Sequence, residues 1–99
     1  MEPVTELKKL GAVVKRNDNG EAVTVGLGGT QISDAGLVYL KGLTELDLLN
    51  IFGTQVTDVD LVHLKAMTNI QTLFLTDTNV TAAAFADLQK ALPYSSIND

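Results

Sequence analysis

Apolar residues recur along the chain with a constant spacing of 24 residues. The spacing is set by three threonines, Thr30, Thr54 and Thr78. The apolar positions that repeat with them are Ala22, Leu46 and Ile70; Val25, Leu49 and Leu73; Leu27, Ile51 and Leu75; Ile32, Val56 and Val80; Leu37, Leu61 and Phe85; and Leu40, Leu64 and Leu88. Because the units align without a gap, the sequence predicts a repeat protein.

Each unit has two halves with different periodicity. In the first half apolar residues alternate with other residues, which is typical of a short strand. In the second half apolar residues stand three apart, which predicts a helix of about two to three turns. Serine and threonine favour helix N-caps, and aspartate favours the first turn. The predicted caps are Ser33, Thr57 and Thr81, and the predicted first-turn aspartates are Asp34 and Asp58.

The repeated threonine predicts a structural role. A small polar side chain that recurs in every unit can bond to the buried backbone of the next unit. We therefore predict that Thr30, Thr54 and Thr78 form a hydrogen-bonded ladder between units.

Two segments, TQISDAGLVYLKGL at 30–43 and TQVTDVDLVHLKAM at 54–67, resemble the leucine-rich-repeat family. They are most similar to its bacterial subtype, in which each unit contains T-x-[VI]-[TS]-D-x-G-L. The period of 24 residues suits this family, whose units have about 20–29 residues. A doubly wound sheet needs about 30 or more residues per βαβ unit. The resemblance covers residues 7–97. It departs from the subtype at the glycine of the motif, which is present as Gly36 in the first unit but is replaced by Asp60 in the second and Ala84 in the third.

The resemblance implies an α/β fold, a short solenoid with parallel strands on the concave face and helices on the convex face. We predict a single domain over residues 1–99, with an N-terminal cap at 1–21, repeats at 22–45, 46–69 and 70–93, and a partial repeat at 94–99. The cap is predicted to be a short helix that ends at Gly11, followed by a hairpin that turns at Asn19-Gly20. Tyr94 and Ile97 continue the apolar spacing, which predicts that they belong to the core of an unfinished unit.

Charge and composition exclude several classes of function. The net charge is −5 and the seven basic residues are scattered, which disfavours nucleic acid as a partner. The chain has no cysteine and no apolar run approaching the length of a membrane span. The N-terminus does not resemble a signal peptide, so the sequence predicts a cytoplasmic protein if Met1 is the native start.

Candidate chemistry is weak, and we predict no enzyme, no catalytic residue, no metal and no cofactor. The glycines at 26–29 lack the third glycine of a dinucleotide loop and the lysine of a P-loop. The segment NDNGE at 17–21 does not fit an EF-hand and is typical of a turn. His63 is the single histidine, and no nucleophile or second ligand is related to it by spacing.

Binding is the remaining class of function. Residues that alternate with the core positions of each strand face out across the sheet. The predicted partner-binding residues are Thr24, Asp47, Leu48, Asn50, Phe52, Gln71, Thr72, Phe74 and Thr76. Leu48, Phe52 and Phe74 are large apolar residues at such positions, and exposed apolar patches often mark interaction sites. Two alternatives stay open: the phenylalanines cover a short sheet, or they pack against the capping segment.

The predicted function is therefore a non-catalytic module that binds a protein or peptide through the concave strand face. The alternative is a structural domain that associates with itself as a homo-oligomer, or a designed or truncated scaffold without a separate ligand. This alternative arises because an exposed final strand can pair with another chain.

Overall fold

The structure is a computed structural model that describes residues 3–32 and 34–98. Its helices are α1 at Pro3–Lys9, α2 at Leu61–Lys65 and α3 at Ala82–Ala91, with 3₁₀ helices at Asp34–Leu40 and Asp58–Asp60. Its strands are β1 at Val13–Arg16, β2 at Ala22–Gly26, β3 at Leu48–Asn50, β4 at Thr72–Phe74 and β5 at Ser96–Asn98. The prediction of an α/β fold is confirmed.

All five strands form one sheet, in which they stand in the order of the chain. β2, β3, β4 and β5 are parallel to one another, and residues 24 apart pair across them, as Val25 does with Leu49 and Leu49 with Leu73. β1 runs antiparallel to β2, because the two strands form the hairpin that the Asn19-Gly20 turn predicts. The sheet is therefore mixed, and the prediction of parallel strands is correct only for β2 to β5.

The core lies between the sheet and the helices. The strand residues Val25, Leu49 and Leu73 are fully buried, and the residues alternating with them are not. Helical residues cover them from one side, and these are Leu7, Leu37, Leu40, Leu61, Leu64 and Leu88. Burial of this apolar surface is the main stabilising contribution to the fold. The opposite side of the sheet carries no helix among the described residues, and we call it the open face.

The helical halves of the three units differ from one another. The first is a 3₁₀ helix throughout, the second begins as a 3₁₀ helix and continues as α2, and only the third is an α-helix over its whole length. The prediction of one helix of about two to three turns in each unit is confirmed, and the type of helix differs between units. A 3₁₀ helix rises about 2.0 Å per residue against about 1.5 Å for an α-helix. The connection from one strand to the next can therefore contain different numbers of helical residues while the strands keep the same register.

Two of the predicted N-caps are present. The Thr57 hydroxyl accepts a hydrogen bond from the Val59 N–H at 3.3 Å, and the Thr81 hydroxyl accepts one from the Ala84 N–H at 3.2 Å. Ser33 lies outside the described residues. Asp58 does more than stabilise its own first turn, since its carboxylate accepts bonds from the Thr81 N–H at 2.8 Å and the Thr81 hydroxyl at 2.7 Å. This pair connects two consecutive units.

The prediction of a threonine ladder between units is wrong. The three hydroxyls donate within their own unit, from Thr30 to the Leu27 carbonyl, from Thr54 to Ile51 and from Thr78 to Leu75, at 2.7, 2.8 and 2.7 Å. The acceptor is three residues back because the chain turns sharply after each strand, which brings that carbonyl closer than the neighbouring unit. The ladder between units is formed by the main chain instead.

The sharp turn after each strand depends on one left-handed residue. Gly29, Gly53 and Asp77 occupy the same repeat position, immediately before the threonine, and have φ values of 70°, 67° and 60°. Glycine adopts this conformation without steric cost, and aspartate is one of the few other residues that tolerate it. The three threonine bonds therefore follow from a backbone turn that the sequence encodes twice as Gly-Thr and once as Asp-Thr.

We expect Gly53→Ala to lower the free energy of unfolding by about 1–2 kcal/mol, the cost of a left-handed conformation for a residue with a Cβ. The nearest atom to an added Cβ is the Gly29 nitrogen at 3.8 Å, so the effect isolates backbone strain from crowding. Urea unfolding followed by circular dichroism measures it. Asp77→Gly is the matched control and should cause no loss, and equal stability of Gly53→Ala and wild type would contradict the assignment.

The C-terminal unit confirms one of its two predicted core residues. Ile97 pairs with Leu73 and packs partly buried against the core. Tyr94 is 98% exposed, so its predicted core position is wrong. The turn before β5 closes with a bond from the Ser95 N–H to the Leu92 carbonyl, one residue later than the repeat predicts. Ser95 therefore takes the buried position, and Tyr94 is directed to solvent.

Candidate functional site

The open face is built by residues that alternate with the core residues of the strands. Strand pairing arranges them in rows across the sheet. The first row is Lys15, Thr24, Leu48, Thr72 and Ser96, and the second row is Val13, Gly26, Asn50, Phe74 and Asn98. Within a row, neighbouring residues are about 4.8 Å apart, which is the spacing of adjacent strands.

All nine predicted partner-binding residues lie on or beside this face. The half-buried ones are Thr24, Leu48, Asn50, Thr72, Phe74 and Thr76, and the exposed ones are Asp47, Phe52 and Gln71. Asp47 and Gln71 are neighbours at the start of β3 and β4, because the Gln71 N–H donates to the Asp47 carbonyl at 2.7 Å. Phe52 and Thr76 are brought together at the other end, where the Gly53 N–H donates to the Thr76 carbonyl at 3.0 Å.

Three large apolar side chains lie on the open face. Leu48 and Phe74 are on adjacent strands and offset by two residues, so they are diagonal neighbours about 7–8 Å apart. Phe52 follows β3 beyond Asn50 and is 46% exposed, whereas Leu49 on the core side is fully buried. We call Leu48, Phe52 and Phe74 the apolar patch.

Asn50 has a structural function within this surface. Its side-chain oxygen accepts a hydrogen bond from the Phe52 N–H at 2.9 Å. This bond satisfies a backbone donor just beyond the end of β3. Asn50 therefore holds the start of the turn that carries Phe52, and its side chain stands between Gly28 and the apolar patch.

Sequence analysis missed two residues of the open face. Val13 and Lys15 stand opposite Gly26 and Thr24 in the antiparallel pair of β1 and β2. Val13 is 66% exposed, although it is a large apolar residue. The signal was available, because the Asn19-Gly20 turn predicts the hairpin, and alternation along β1 then places these two side chains on one face.

Charge is distributed unequally along the chain. Residues 1–21 contain four acidic and four basic residues, whereas residues 22–99 contain eight acidic and three basic residues, a net charge of −5. On the open face the exposed Asp47 directly precedes Leu48, and Lys15 lies at the same level on β1. The repeat region therefore accounts for the whole net negative charge of the chain, and Lys15 lies beside it on the open face.

The concave regions of the surface lie away from the open face. One of about 190 Å³ lies between the turns that lead into β3 and β4, and His63, Lys41 and Met67 line it. Another of about 360 Å³ runs between α2 and α3 beside Asp58 and Asp87. Among the described residues, no group of three or more histidine, cysteine, aspartate or glutamate side chains is placed to hold a metal ion.

The three α-helices of the described residues are short, and each contains both polar and apolar residues. None of the helices in residues 3–32 and 34–98 has the length and apolar character needed to cross a membrane. The open face combines apolar, hydroxyl and amide groups, with the Asp47 carboxylate at its border. Such a surface can supply contacts and hydrogen bonds to a partner.

Comparison with known proteins adds no family name. A scan against protein-family models gave no match, and a search of curated proteins also found none. The similarity to leucine-rich repeats therefore rests on the repeated residues of this chain, and functional inference rests on the open face.

Proposed function

We propose that the chain is a leucine-rich-repeat domain that binds a protein or peptide through its open face and catalyses no reaction. The observation that carries the proposal is the apolar patch, because Leu48, Phe52 and Phe74 leave apolar surface in water on the side of the sheet that no helix covers. Aromatic side chains are enriched among the residues that dominate binding energy. If the 24-residue repeat forms a solenoid, binding through the strand face is expected, because solenoid proteins use their concave surface for binding.

Polar residues around the apolar patch support a binding role for it, as opposed to apolar side chains that are merely exposed to solvent. Thr24, Thr72 and Thr76 offer hydroxyl groups, and Asp47 and Gln71 offer a carboxylate and an amide at the border. An interface with an apolar centre and a polar rim is the usual arrangement for a specific complex. The patch would supply the affinity, and the rim would fix the orientation of the partner.

Strand order argues against one alternative for the phenylalanines. β4 is separated from β1, the strand of the cap, by two further strands, so Phe74 is about 14 Å from β1 at roughly 4.8 Å per strand. Packing against the cap therefore does not account for Phe74. The other alternative, that the side chains only cover the sheet, predicts that their removal changes stability and leaves binding intact.

We expect Phe74→Ala to lose at least about tenfold in affinity for the partner, as truncation of a central aromatic residue usually does. A pull-down from the native source with wild type and variant side by side identifies the partner, and calorimetry with that partner then measures the affinity. Thr72→Ala, on the same strand and face, is the control and should bind as wild type. Equal affinity of Phe74→Ala, or a large loss of its thermal stability, would refute the proposal.

Self-association is the second candidate function, and the C-terminal edge of the sheet favours it. Within the described chain no strand pairs with the outer edge of β5, and Ser96, Ile97 and Asn98 carry no charge that would discourage pairing. Tyr94 stands 98% exposed beside this edge. Analytical ultracentrifugation tests the candidate: a dimer that Tyr94→Ser dissociates supports it, and a monomer at all concentrations refutes it.

A further inference from the structure

The outer side of the helical segments, which points away from the sheet, carries large apolar side chains in water. Val59 is 76% exposed, Val62 is 60% exposed and Val38 is 47% exposed. A surface helix normally places charged and polar residues on the side opposite the core. Val38 and Val62 occupy the same position in consecutive repeats, 24 residues apart, so the exposure recurs from one unit to the next. The helices therefore have a second apolar side that the core does not use.

The exposed valines of the second unit line a groove. This groove is the concave region of about 360 Å³ that runs between α2 and α3. Val59 and Val62 line it from the second unit together with the buried Leu61, and Ala83 and Ala84 line it from α3. Because valine is larger than alanine, a ridge on one side stands beside a hollow on the other. We call these five residues the helical groove.

Charges of both signs border the helical groove. Asp58 and Lys65 lie at opposite ends of the helical segment that contains α2, and Asp87 lies across the groove on α3. Among the described residues the ion pair that forms is the one between Lys9 and Glu6, at 3.1 Å. The charges beside the groove are therefore not neutralised by ion pairs within the described chain, and they can form such pairs with a partner.

We propose that the helical groove is the interface of a homodimer, in which α2 of a second copy packs antiparallel against α2 of the first. The inference goes beyond the proposed function, because it uses the side of the sheet opposite to the open face. A two-fold axis near Val62 brings Lys65 of each copy beside Asp58 of the other, since these two residues lie at opposite ends of the segment. The valine ridge of each copy then lies in the hollow of the other, as ridges pack into grooves between helices.

Charge complementarity selects a second copy as the occupant. A uniformly basic partner would meet Lys65 at the groove, and a uniformly acidic partner would meet Asp58 and Asp87. Antiparallel two-fold packing instead places opposite signs together at both ends of the interface. The net charge of −5 on each copy opposes association at long range, but salt largely screens this repulsion beyond about 8 Å at physiological ionic strength. The ion pairs at the groove are in direct contact and are screened less.

Sedimentation equilibrium tests the proposal. We expect the wild type to show a monomer–dimer equilibrium, and a wild type that stays monomeric up to about 1 mM would overturn the proposal. Val62→Glu places a carboxylate at the centre of the interface in both copies and should raise the dimer Kd at least about tenfold. Val13→Glu is the matched control, because it makes the same change at a valine of similar exposure, 66%, on the open face. It should dimerise as wild type.

Ala83→Gln fills the hollow of the groove without a change in charge. Because Ala83 is exposed and glutamine is a good helix former, stability in urea should stay close to that of wild type. We expect the dimer Kd to rise several-fold, which decides the matter if Val62→Glu impairs folding. Ala91→Gln, at an exposed alanine of the same helix outside the groove, is the control. A dimer that is insensitive to Ala83→Gln would contradict the packing.

Single-cysteine variants test the symmetry, because the chain has no cysteine of its own. A disulfide needs Cα atoms about 4.4–6.8 Å apart, so Val62→Cys should form a covalent dimer under mild oxidation and Val13→Cys should not. Covalent dimers of Tyr94→Cys, together with a dimer that Val62→Glu does not weaken, would assign the contact to the edge of β5 and overturn the helical groove. Neither result bears on the open face, which Phe74→Ala tests with a partner.

Discussion

Replacing Leu49 by alanine should lower the free energy of unfolding by about 2–5 kcal/mol, the usual cost of removing a buried leucine side chain. Leu49 is fully buried in β3, the central strand of the sheet, and pairs with Val25 on one side and Leu73 on the other. The cavity would open at the middle of the core, where neighbouring strands are held in register and cannot collapse into it. Because small domains are stable by only about 5–15 kcal/mol, the loss is a large fraction of the total. Urea unfolding measures it directly.

Leu48 provides the control at the adjacent position. It is the same residue type in the same strand, but its side chain lies half-buried on the open face. We expect Leu48→Ala to change the unfolding free energy by less than about 1 kcal/mol, as for most surface substitutions. Equal losses for the two variants would mean that the open face is packed in solution, which would contradict both the fold description and the proposed binding surface.

The second large effect is expected at Gly36, where Gly36→Ala should destabilise the protein by about 1–3 kcal/mol. A Cβ there would lie 2.7 Å from Cγ1 and 3.1 Å from Cδ1 of Ile32, which is itself only 1% exposed. Intrinsic helix propensity predicts the opposite sign, a gain of about 1 kcal/mol for alanine over glycine. The sign of the measured change therefore decides between crowding and propensity.

A double-mutant cycle with Ile32→Ala identifies the cause. Ile32→Ala is destabilising by itself, because it removes a buried side chain. It also removes Cγ1 and Cδ1, so in this background Gly36→Ala should cost little or become stabilising. A coupling energy of about 1 kcal/mol or more is expected for residues in such direct contact. Additive effects would show that the Gly36 penalty has another source.

Sequence periodicity was sufficient to predict the strands and their register. Apolar residues 24 apart are buried at equivalent positions because each unit must present the same face to the core. The same reasoning placed Leu48, Asn50 and Phe74 on the other face, where the structure has them. Alternation in a strand leaves only two faces to choose between, so a pattern of this length determines the choice.

Hydrogen-bond partners could not be predicted from the repeat, because a repeated residue can bond within its own unit or to the next. The hydroxyls of Thr30, Thr54 and Thr78 donate to a carbonyl of their own turn. The choice depends on the left-handed residue before each threonine, and the sequence signal is ambiguous there, since Asp77 replaces glycine in the third unit. Side-chain identity alone did not distinguish the two geometries.

The ends of the chain gave the other differences. Tyr94 has the right spacing for a core residue, but the preceding turn closes one residue late, and Ser95 is buried in its place. Sequence analysis also missed Val13 and Lys15 of the open face, because they belong to the cap and share no repeat position with the residues they face. The repeat predicts the environment of residues at repeated positions, and it gives no information about segments that occur once.

The main-chain ladder between units has a consequence for how such a chain can grow by tandem duplication. The Leu27 N–H donates to the Asn50 carbonyl, and the Ile51 N–H donates to the Phe74 carbonyl, at 2.7 and 3.0 Å. A second copy of residues 46–69 would bring the same backbone donors and acceptors, and its Thr57 would meet the first copy's Asp58 as Thr81 now does. Each duplication would therefore insert one complete strand and widen the sheet by about 4.8 Å. The existing hydrogen bonds between units would be repeated, so no new contact between units would have to evolve.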